Sequence, residues 1–364
     1  MPTLPTAPIA LLGRLDLPTD GVRDYCVQLS AAFGRRGERL DIAEVRCENQ
    51  GWPAAIRQLW KDSEKWRGRW VLFQYTALSW SRRGFPVGAL VVIRILKLRG
   101  AKICVVFHDI RYDQARGLKQ RVRVAFQYRT MRTAFQWAAR CVLTVPAAQV
   151  PWLPRNSAKA AFIPVGSNVP ETSRQAGNRR AELHGVPTVA VFGVTGGAQA
   201  SKESEDISYV ARTVISKIGR LRLLIIGRGS LEAAAILRKD LDGSVVEVSV
   251  LGVLPPEQIR ENLATADALL CIRGHISSRR GSAIAGIACG LPIVGYRGEE
   301  TAFPVTEAGV LLVENGNRDA VAETLYRVLS DEKLREDLRQ RSLAAERQYF
   351  SWDAIAGQFS RLLA

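Results

Sequence analysis

The sequence lacks the cysteine patterns that mark metal sites and disulfide frameworks. Its 364 residues include six cysteines, and no two of them form a CxxC pair. This scatter argues against a zinc ribbon, a dithiol redox motif and a secreted disulfide-rich domain. Reduced thiols in the cytosol are the simplest interpretation.

Long uncharged apolar runs are also missing. No segment long enough to cross a bilayer is free of charged residues. The early apolar run 8–12 is too short for a signal peptide and lacks a basic leader, so we interpret it as a buried strand. A composition of 47% hydrophobic and 24% charged residues excludes a disordered or coiled-coil chain. These features predict a cytoplasmic globular protein of about two domains.

Acidic residues are scarce in the first half of the chain. Residues 1–165 contain 27 Lys and Arg against 11 Asp and Glu, whereas residues 166–364 contain 24 of each kind. The formal net charge of +16 therefore resides in the first half. Such asymmetry suggests that the first half binds an anionic partner. Nucleic acid, a membrane surface and a phosphorylated ligand are the three candidates. An arginine-rich proteome is the alternative, but it does not explain the neutral second half.

Short apolar runs alternate with longer amphipathic stretches along the chain. The runs are rich in Val, Ile and Leu and mostly continuous, as is typical of strands buried on both faces of a parallel sheet. They predict strands at 9–12, 70–74, 102–107, 141–145, 188–192, 221–226, 245–251, 268–272, 292–295 and 310–313. Helical patterns lie between them, at 21–35, 114–139, 207–218, 231–239, 256–264 and 319–329. This alternation predicts open α/β sheets.

The alternation occurs twice, with a polar, Pro- and Gly-containing break at residues 164–180. Such a composition is typical of an interdomain connection. The sequence thus predicts an α/β protein with two Rossmann-like domains, 1–165 and 166–345, that face a central cleft. Ligands of open α/β sheets bind at the carboxyl ends of the strands. The loops that follow the strands are therefore candidate binding sites.

Two loops in the first half carry residues suited to ligand binding. Asp20 and Gly21 open the first helix, where glycine leaves room for a ligand and helix N–H groups attract an anion. His108 and Asp109 follow the strand 102–107, and a histidine is informative there because the chain has only three. A plain strand–helix turn is the alternative at Gly21, and a structural turn is the alternative at His108 and Asp109.

Two loops in the second half are suited to phosphate. Gly227, Arg228 and Gly229 follow the strand 221–226 and open a helix, although a single GxG is a weak signal. The loop 273–282 precedes an apolar helix and carries hydroxyls, two arginines and a glycine, namely Ser277, Ser278, Arg279, Arg280, Gly281 and Ser282. Guanidinium forks beside a helix N-terminus suit a diphosphate. The alternative is an N-capped surface helix with solvated arginines.

Further segments carry short motifs that are spread over nearly the whole chain. They are FIPVG (162–166), LIIGRG (224–229), VLGVLP (250–255), ADALL (266–270), ACGLPIV (288–294), EAGVLLV (307–313) and FSW (350–352), with fainter matches at 20–22 and 106–109. Together they resemble the retaining GT-B glycosyltransferases of family 4. The resemblance implies the GT-B fold and transfer of a sugar from a nucleoside diphosphate sugar, linked to UDP or GDP, to a hydroxyl acceptor.

The resemblance also implies where the donor binds. In that family the C-terminal domain binds the nucleotide sugar and the N-terminal domain binds the acceptor. Val250 to Leu254 would then lie along the nucleobase, and Gly227 to Gly229 would lie near the nucleoside.

In the first half the resemblance implies that Gly21 and His108 lie near the sugar and phosphates. His108 and Asp109 are the candidate catalytic residues, and Asp109 or Asp20 is a candidate to assist as a base. Residues 346–364 would form a helix that crosses back to the first domain.

The chain departs from the family pattern around the diphosphate. The two glutamates of the family, eight residues apart, correspond to Ser277 and Ala285 here. The arginine that follows the first C-terminal strand corresponds to a position near Val194, and the nearest lysine is Lys202.

We therefore expect Arg279 and Arg280 to bind the diphosphate, with the help of Ser278 and Ser282. Positive groups and helix N-termini stabilise a leaving diphosphate without a metal. No DxD motif occurs at the predicted strand ends, so we expect neither a metal nor another cofactor. In a retaining transfer of this family the leaving phosphate itself helps to deprotonate the acceptor.

Basic and aromatic residues are interleaved in two segments of the first half. Residues 114–140 contain seven Lys and Arg and four aromatic residues, and residues 60–70 contain three tryptophans among basic residues. Basic amphipathic helices with aromatic residues lie on anionic bilayers. This pattern predicts a peripheral membrane protein of bacterial polysaccharide biosynthesis with a lipid-linked saccharide acceptor. The alternative is that the aromatic residues are core and the arginines are solvated.

Two other functions are compatible with the same features. A non-catalytic sugar-nucleotide-binding or scaffold protein fits the missing glutamates. A nucleotide-sugar 2-epimerase shares the fold but is expected to have more acidic residues and histidines near the sugar. No nucleic-acid-binding module is recognisable, so we expect no nucleic-acid partner.

Overall fold

The computed structural model describes residues 6–14, 20–110, 117–154, 157–170, 185–194 and 198–364. The chain divides into two compact units. The first comprises Met1–Val165 together with Trp352–Ala364, and the second comprises Gly166–Ser351. The second unit extends to residue 351, whereas the sequence predicts that it ends at residue 345.

Each unit is built on a parallel sheet, and the predicted α/β class is confirmed. In chain order the strands of the described residues are β1 (Ile9–Leu12), β2 (Asp41–Glu44), β3 (Trp70–Tyr75), β4 (Lys102–Phe107), β5 (Arg140–Leu143), β6 (Ala160–Phe162), β7 (Thr188–Phe192), β8 (Leu221–Ile226), β9 (Val246–Gly252), β10 (Ala268–His275), β11 (Ile293–Tyr296) and β12 (Val310–Val313). Among the described residues each sheet has six strands.

Helices connect successive strands in both units. In chain order they are α1 (Gly21–Arg35), α2 (Cys47–Asp62), α3 (Val87–Leu98), α4 (Leu118–Trp137), α5 (Ala198–Ile218), α6 (Ser230–Asp240), α7 (Pro256–Thr265), α8 (Gly281–Ala288), α9 (Arg318–Ser330), α10 (Glu332–Ala345) and α11 (Trp352–Leu363). In the part of the chain that the structure describes, no helix combines the length and the apolar character needed to cross a bilayer.

The first sheet is buried on both faces. Along β4, Ile103, Val105 and Phe107 pack into one core cluster, to which α3 and α4 contribute. The alternate residues Cys104 and Val106 pack into a second cluster, to which α1 and α11 contribute. A strand with both faces covered needs apolar side chains at every position, and this need explains the continuous runs in the sequence.

Strand order determines where each sheet opens. The first sheet has the order β2-β1-β3-β4-β5-β6, and the second has the order β12-β11-β10-β7-β8-β9. The order reverses between β1 and β3 in the first sheet and between β7 and β10 in the second. Loops diverge at such a switch point, which leaves a crevice at the carboxyl ends of the strands.

Several predicted boundaries differ from those of the structure. The strands β2 and β6, and the helices α2, α3 and α10, were not predicted from the sequence. The strand β2 alternates between half-buried and exposed residues at the edge of its sheet, so it lacks the continuous apolar run of a central strand. Helix α4 begins at Leu118 rather than at residue 114, and residues 114–116 lie outside the described part of the chain.

Candidate functional site

Asp20 caps helix α1 in the first unit. Its Oδ1 accepts hydrogen bonds from the backbone N–H groups of Val22, at 2.9 Å, and Arg23, at 2.7 Å. The sequence predicts that these N–H groups are available to an anionic ligand. That prediction is wrong for two of them, because the Asp20 carboxylate already binds them.

Gly21 is the first residue of α1 and borders open space. A Cβ atom built on Gly21 would have no atom within 4 Å. This space is compatible with the approach of a ligand, and the binding role of Gly21 stays a prediction.

His108 directly follows β4 and is held in a defined orientation. Its Nε2 lies 2.8 Å from Oε1 of Gln74, whose own Nε2 donates a hydrogen bond to the carbonyl of Leu72. Because the Gln74 amide donates to that carbonyl, its oxygen faces His108, and Nε2 of His108 carries the proton. The ring also packs against that of Tyr25 in an edge-to-face arrangement, with centroids 4.9 Å apart.

Asp109 connects two loops of the first unit. Its Oδ2 accepts a hydrogen bond of 3.2 Å from the backbone N–H of Ala77, in the loop after β3. This contact positions the ends of β3 and β4 relative to each other. It is the contact expected of a structural turn, which was the alternative to a catalytic role.

The loops after β7, β8 and β9 are hydrogen-bonded to one another in the second unit. The N–H of Gly227 donates to the carbonyl of Gly252 at 2.8 Å, and the N–H of Gly229 donates to the carbonyl of Val194 at 3.1 Å. Gly227 has a φ of +129°, and a Cβ there would lie 3.3 Å from the backbone of Gly193. The structure therefore brings Gly227 and Gly229 against the end of β7.

The remaining donor residues predicted in this region lie around the same edge of the sheet. Val250 is on β9 and pairs in register with Ile225 of β8, and Leu254 follows β9. Arg228 is exposed at the loop between β8 and α6. Lys202 is also exposed, on α5, while Val194 is buried.

The segment of residues 273–282 comprises the end of β10, the connection that follows it and the start of α8. This segment, named here the β10–α8 loop, faces the end of β7. Nη1 of Arg273 donates a hydrogen bond of 3.1 Å to the carbonyl of Gly193. Ser282 lies beside the same glycine, 3.5 Å from the position that a Cβ of Gly193 would occupy. These contacts bridge β10 and β7 at the switch point of the second sheet.

The predicted diphosphate residues of this loop differ in their surroundings. Ser277 and Ser278 are buried, whereas Gly281 is exposed at the first position of α8. Arg280 is half-buried, and its Nη1 donates to the carbonyl of His275 at 3.3 Å. Burial lowers the pKa of the Arg280 guanidinium from its ordinary value.

Arg279 forms an ion pair that the sequence does not predict. Its Nε and Nη2 donate to Oε2 and Oε1 of Glu300, at 2.7 Å and 3.0 Å. Glu300 is only 2% exposed, and burial disfavours its charged form. Hydrogen bonds with His275 and Arg279 outweigh that effect and lower the pKa of Glu300 to about 2. Binding of the diphosphate by Arg279 stays a prediction, and the structure adds that one edge of its guanidinium binds a carboxylate.

A small cavity lies behind this surface. Its volume of about 10 Å³ is lined by Gly193, Glu203, Arg273 and Arg280, among others. A cavity of that size has room for about one water molecule.

Three residues of the site were missed at the level of sequence. Arg273 and His275 lie at the end of β10. The rule that ligand-binding residues follow strand ends would have identified both from the sequence. Glu300 has no such signal, because it lies in a separate loop after β11. Among the described residues, no three His, Cys, Asp or Glu side chains form a group that could hold a metal ion.

The second unit matches a known family in sequence. Residues 190–331 match the model of the family described as glycosyl transferases group 1. This match confirms the resemblance to glycosyltransferases that the motifs of the second half indicate. A comparison of the chain with curated protein sequences gave no significant match.

Solved structures resemble the chain over almost its full length. Sucrose-phosphate synthase from Thermosynechococcus elongatus is 17% identical, with a TM-score of 0.68 and 98% of each chain covered. HepE from Anabaena, solved in complex with UDP and glucose, is 13% identical, with a TM-score of 0.64 and 98% of each chain covered. WaaG, a glycosyltransferase involved in lipopolysaccharide biosynthesis, is 13% identical, with a TM-score of 0.62 and 98% and 99% of the two chains covered. The predicted GT-B fold is thereby confirmed.

Proposed function

We propose that this chain of GT-B fold transfers a sugar from a nucleoside diphosphate sugar, linked to UDP or GDP, to a hydroxyl group of an acceptor. The observation that carries the proposal is the surface at the switch point of the second sheet. There, Arg273 and Ser282 lie beside Gly193, which follows β7, and Arg280 lines a small cavity together with the same glycine. Close backbone approach and positive charge are what a diphosphate requires.

The proposed reaction needs stabilisation of the leaving group. The bond between the anomeric carbon and the β-phosphate oxygen breaks, and the acceptor oxygen bonds to the same carbon. The acceptor proton passes to the departing phosphate oxygen, with retention of configuration. Arg273 and Arg280 would stabilise the charge that develops on the diphosphate, so that the step proceeds without a metal.

We assign acceptor binding to the first unit and donor binding to the second. His108 is the candidate for contact with the transferred sugar, because Gln74 holds its ring in one orientation. Asp109 has the role of positioning the loop that carries His108, through its contact with Ala77.

The surface of α4 supports an acceptor held at a membrane. The helix has no acidic residue, and its exposed side chains include Lys119, Arg121 and Arg129. Leu118 is 78% exposed and Val122 is 55% exposed on the same helix. Exposed apolar residues among basic ones suit an anionic bilayer.

A lipid-linked saccharide used in cell-surface polysaccharide assembly is therefore the acceptor that we propose. It would be met on the cytoplasmic face of a bacterial membrane. The structural similarity to WaaG, which is involved in lipopolysaccharide biosynthesis, fits this acceptor class.

Thermal unfolding with nucleotides tests the donor half of the proposal. UDP, GDP, ADP, CMP and dTDP would each be added without metal to the wild-type protein and to Arg273→Ala and Arg280→Ala. We expect one nucleotide to stabilise the wild type, by about 2.7 kcal/mol at 100 times its Kd. Both variants should lose most of that stabilisation because they lose a phosphate partner.

Arg222→Ala is the matched control. Arg222 is near the amino end of β8, away from the carboxyl edge, and pairs with Glu247. Its removal should leave the nucleotide-induced shift unchanged. Failure of all five nucleotides to stabilise the wild type would contradict the proposal and favour a scaffold protein.

A further inference from the structure

Glu300 is a buried carboxylate for which the proposed reaction has no direct use. It lies in the turn after β11 and is 2% exposed. Both of its oxygens accept hydrogen bonds from Arg279, and its Oε2 lies 3.5 Å from Nε2 of His275. Two residues of the β10–α8 loop thus converge on one acid that comes from a different loop.

Contacts of the neighbouring residues Gly298 and Thr301 position Glu300 independently of its ion pair. The hydroxyl of Thr301 donates a hydrogen bond of 2.6 Å to the carbonyl of Ile276, and the N–H of Gly298 donates to that hydroxyl at 3.0 Å. A Cβ on Gly298 would lie 2.4 Å from the Cβ of His275, so only glycine permits this approach. The turn is therefore fastened to the β10–α8 loop on both sides of Glu300.

The three side chains differ in how far they reach solvent. The side chain of Glu300 is 3% exposed, whereas those of Arg279 and His275 are 30% and 37% exposed. Glu300 itself is thus too deeply buried to contact a ligand. A bidentate carboxylate fixes both the position and the plane of a guanidinium, which a single hydrogen bond does not. Arg279 is consequently the group through which Glu300 affects a ligand at the loop surface.

We propose that Glu300 is a positioning residue for the donor diphosphate, which acts by holding the Arg279 guanidinium in the plane required for phosphate binding. This inference rests on the proposed function, since it presumes that the β10–α8 loop binds the diphosphate. It assigns to the Arg279 fork two edges with different partners: Glu300 on one edge and phosphate on the other. The edge that Glu300 holds is formed by Nε and Nη2 of Arg279.

Binding measurements on Glu300→Gln test the proposal. The titrants are the nucleotide that stabilises the wild type and the matching nucleoside without phosphates, at a temperature where each variant is folded. We expect the nucleoside diphosphate to bind about tenfold more weakly, as when a hydrogen bond to a charged group is lost. Binding of the nucleoside should not change, because Arg279 contacts only the phosphates.

A double-mutant cycle shows whether Glu300 acts through Arg279. Arg279→Ala should weaken diphosphate binding to a similar degree, and adding Glu300→Gln to it should weaken binding no further. Arg279→Lys keeps the charge but lacks the fork, so it should show the same selective loss if Glu300→Gln fails to fold. Glu247→Gln, which removes an exposed ion pair with Arg222 in the same unit, is the matched control and should bind normally.

The outcomes separate this inference from the proposed function. If Glu300→Gln lowers the melting temperature but leaves the diphosphate Kd unchanged, Glu300 is purely structural and the inference is wrong. Equal losses for nucleoside and nucleotide, or additive losses in the double variant, would also overturn it. If the wild type binds no nucleotide at all, the proposed function fails and this inference fails with it.

Discussion

At the scale of single residues, backbone geometry restricts what can stand beside the nucleotide loops. Gly227 combines a φ of +129° with an approach of 3.3 Å to the backbone of Gly193. The three nearest atoms all belong to the backbone of Gly193 and Val194, so none of them gives way easily to a methyl group. The close fit of the loops after β7 and β8 therefore depends on this one residue.

We predict that Gly227→Ala lowers the free energy of unfolding by about 1–3 kcal/mol, since it forces a strained backbone conformation. It should also weaken nucleotide binding, because the two loops separate. Gly281→Ala is the control: a Cβ there meets no atom within 4 Å, and we expect an unchanged melting temperature. Urea unfolding of the two variants measures the change in stability. Equal midpoints for Gly227→Ala and Gly281→Ala would contradict the prediction.

At the scale of elements, α1 shows how a helix terminus satisfies its own donors. Asp20 is buried at the N-cap, and one of its oxygens accepts from two N–H groups. The helix in turn contributes Tyr25, which packs against His108 and Trp352 of α11. The cap therefore helps to position the residues around His108.

We expect Asp20→Ala to destabilise the first unit by about 1 kcal/mol, as is usual when a helix loses its cap. Asp20→Asn should retain most of the stability, because an amide oxygen accepts the same hydrogen bonds. Thermal unfolding of both variants distinguishes a capping role from a purely electrostatic one. If Asp20→Asn lowers the melting temperature as much as Asp20→Ala does, the charge of Asp20 rather than its hydrogen bonds stabilises the unit.

At the scale of the whole molecule, the charge is divided unevenly. The net charge of +16 arises from residues 1–165, and the helix α4 presents part of it together with exposed apolar residues. An even spread of charge would favour solubility without favouring one surface. The charge is instead concentrated in the first half, so a test for an anionic partner belongs to that half of the chain.

Liposome flotation tests this surface. We predict that the protein floats with vesicles that contain anionic lipid and not with neutral ones, and that added salt weakens binding. Lys119→Glu/Arg121→Glu on α4 should abolish flotation. Lys333→Glu/Arg347→Glu changes the net charge equally at exposed positions of the second unit and should have little effect. Equal flotation with neutral and anionic vesicles would contradict the prediction.

The sequence by itself determined the buried strands of the two sheets. Strands β1, β4, β7, β8 and β12 have the bounds that their apolar runs predict, because a strand buried on both faces leaves a continuous local signal. The edge strands β2 and β6 are short and half-exposed, so their residues give no such signal. The residues at the ends of β4 and β8 were likewise identified because strand ends meet at one edge of a sheet.

Only the tertiary structure decided how the predicted site residues are engaged. Arg279 and Glu300 are separated by 21 positions and meet because two loops pack side by side, a contact that no periodicity encodes. The hydrogen bond between His108 and Gln74 likewise joins two neighbouring strands across 34 positions. Local patterns specify which residues are buried. The hydrogen-bond and ion-pair partners of a side chain depend instead on which loops the strand order brings together.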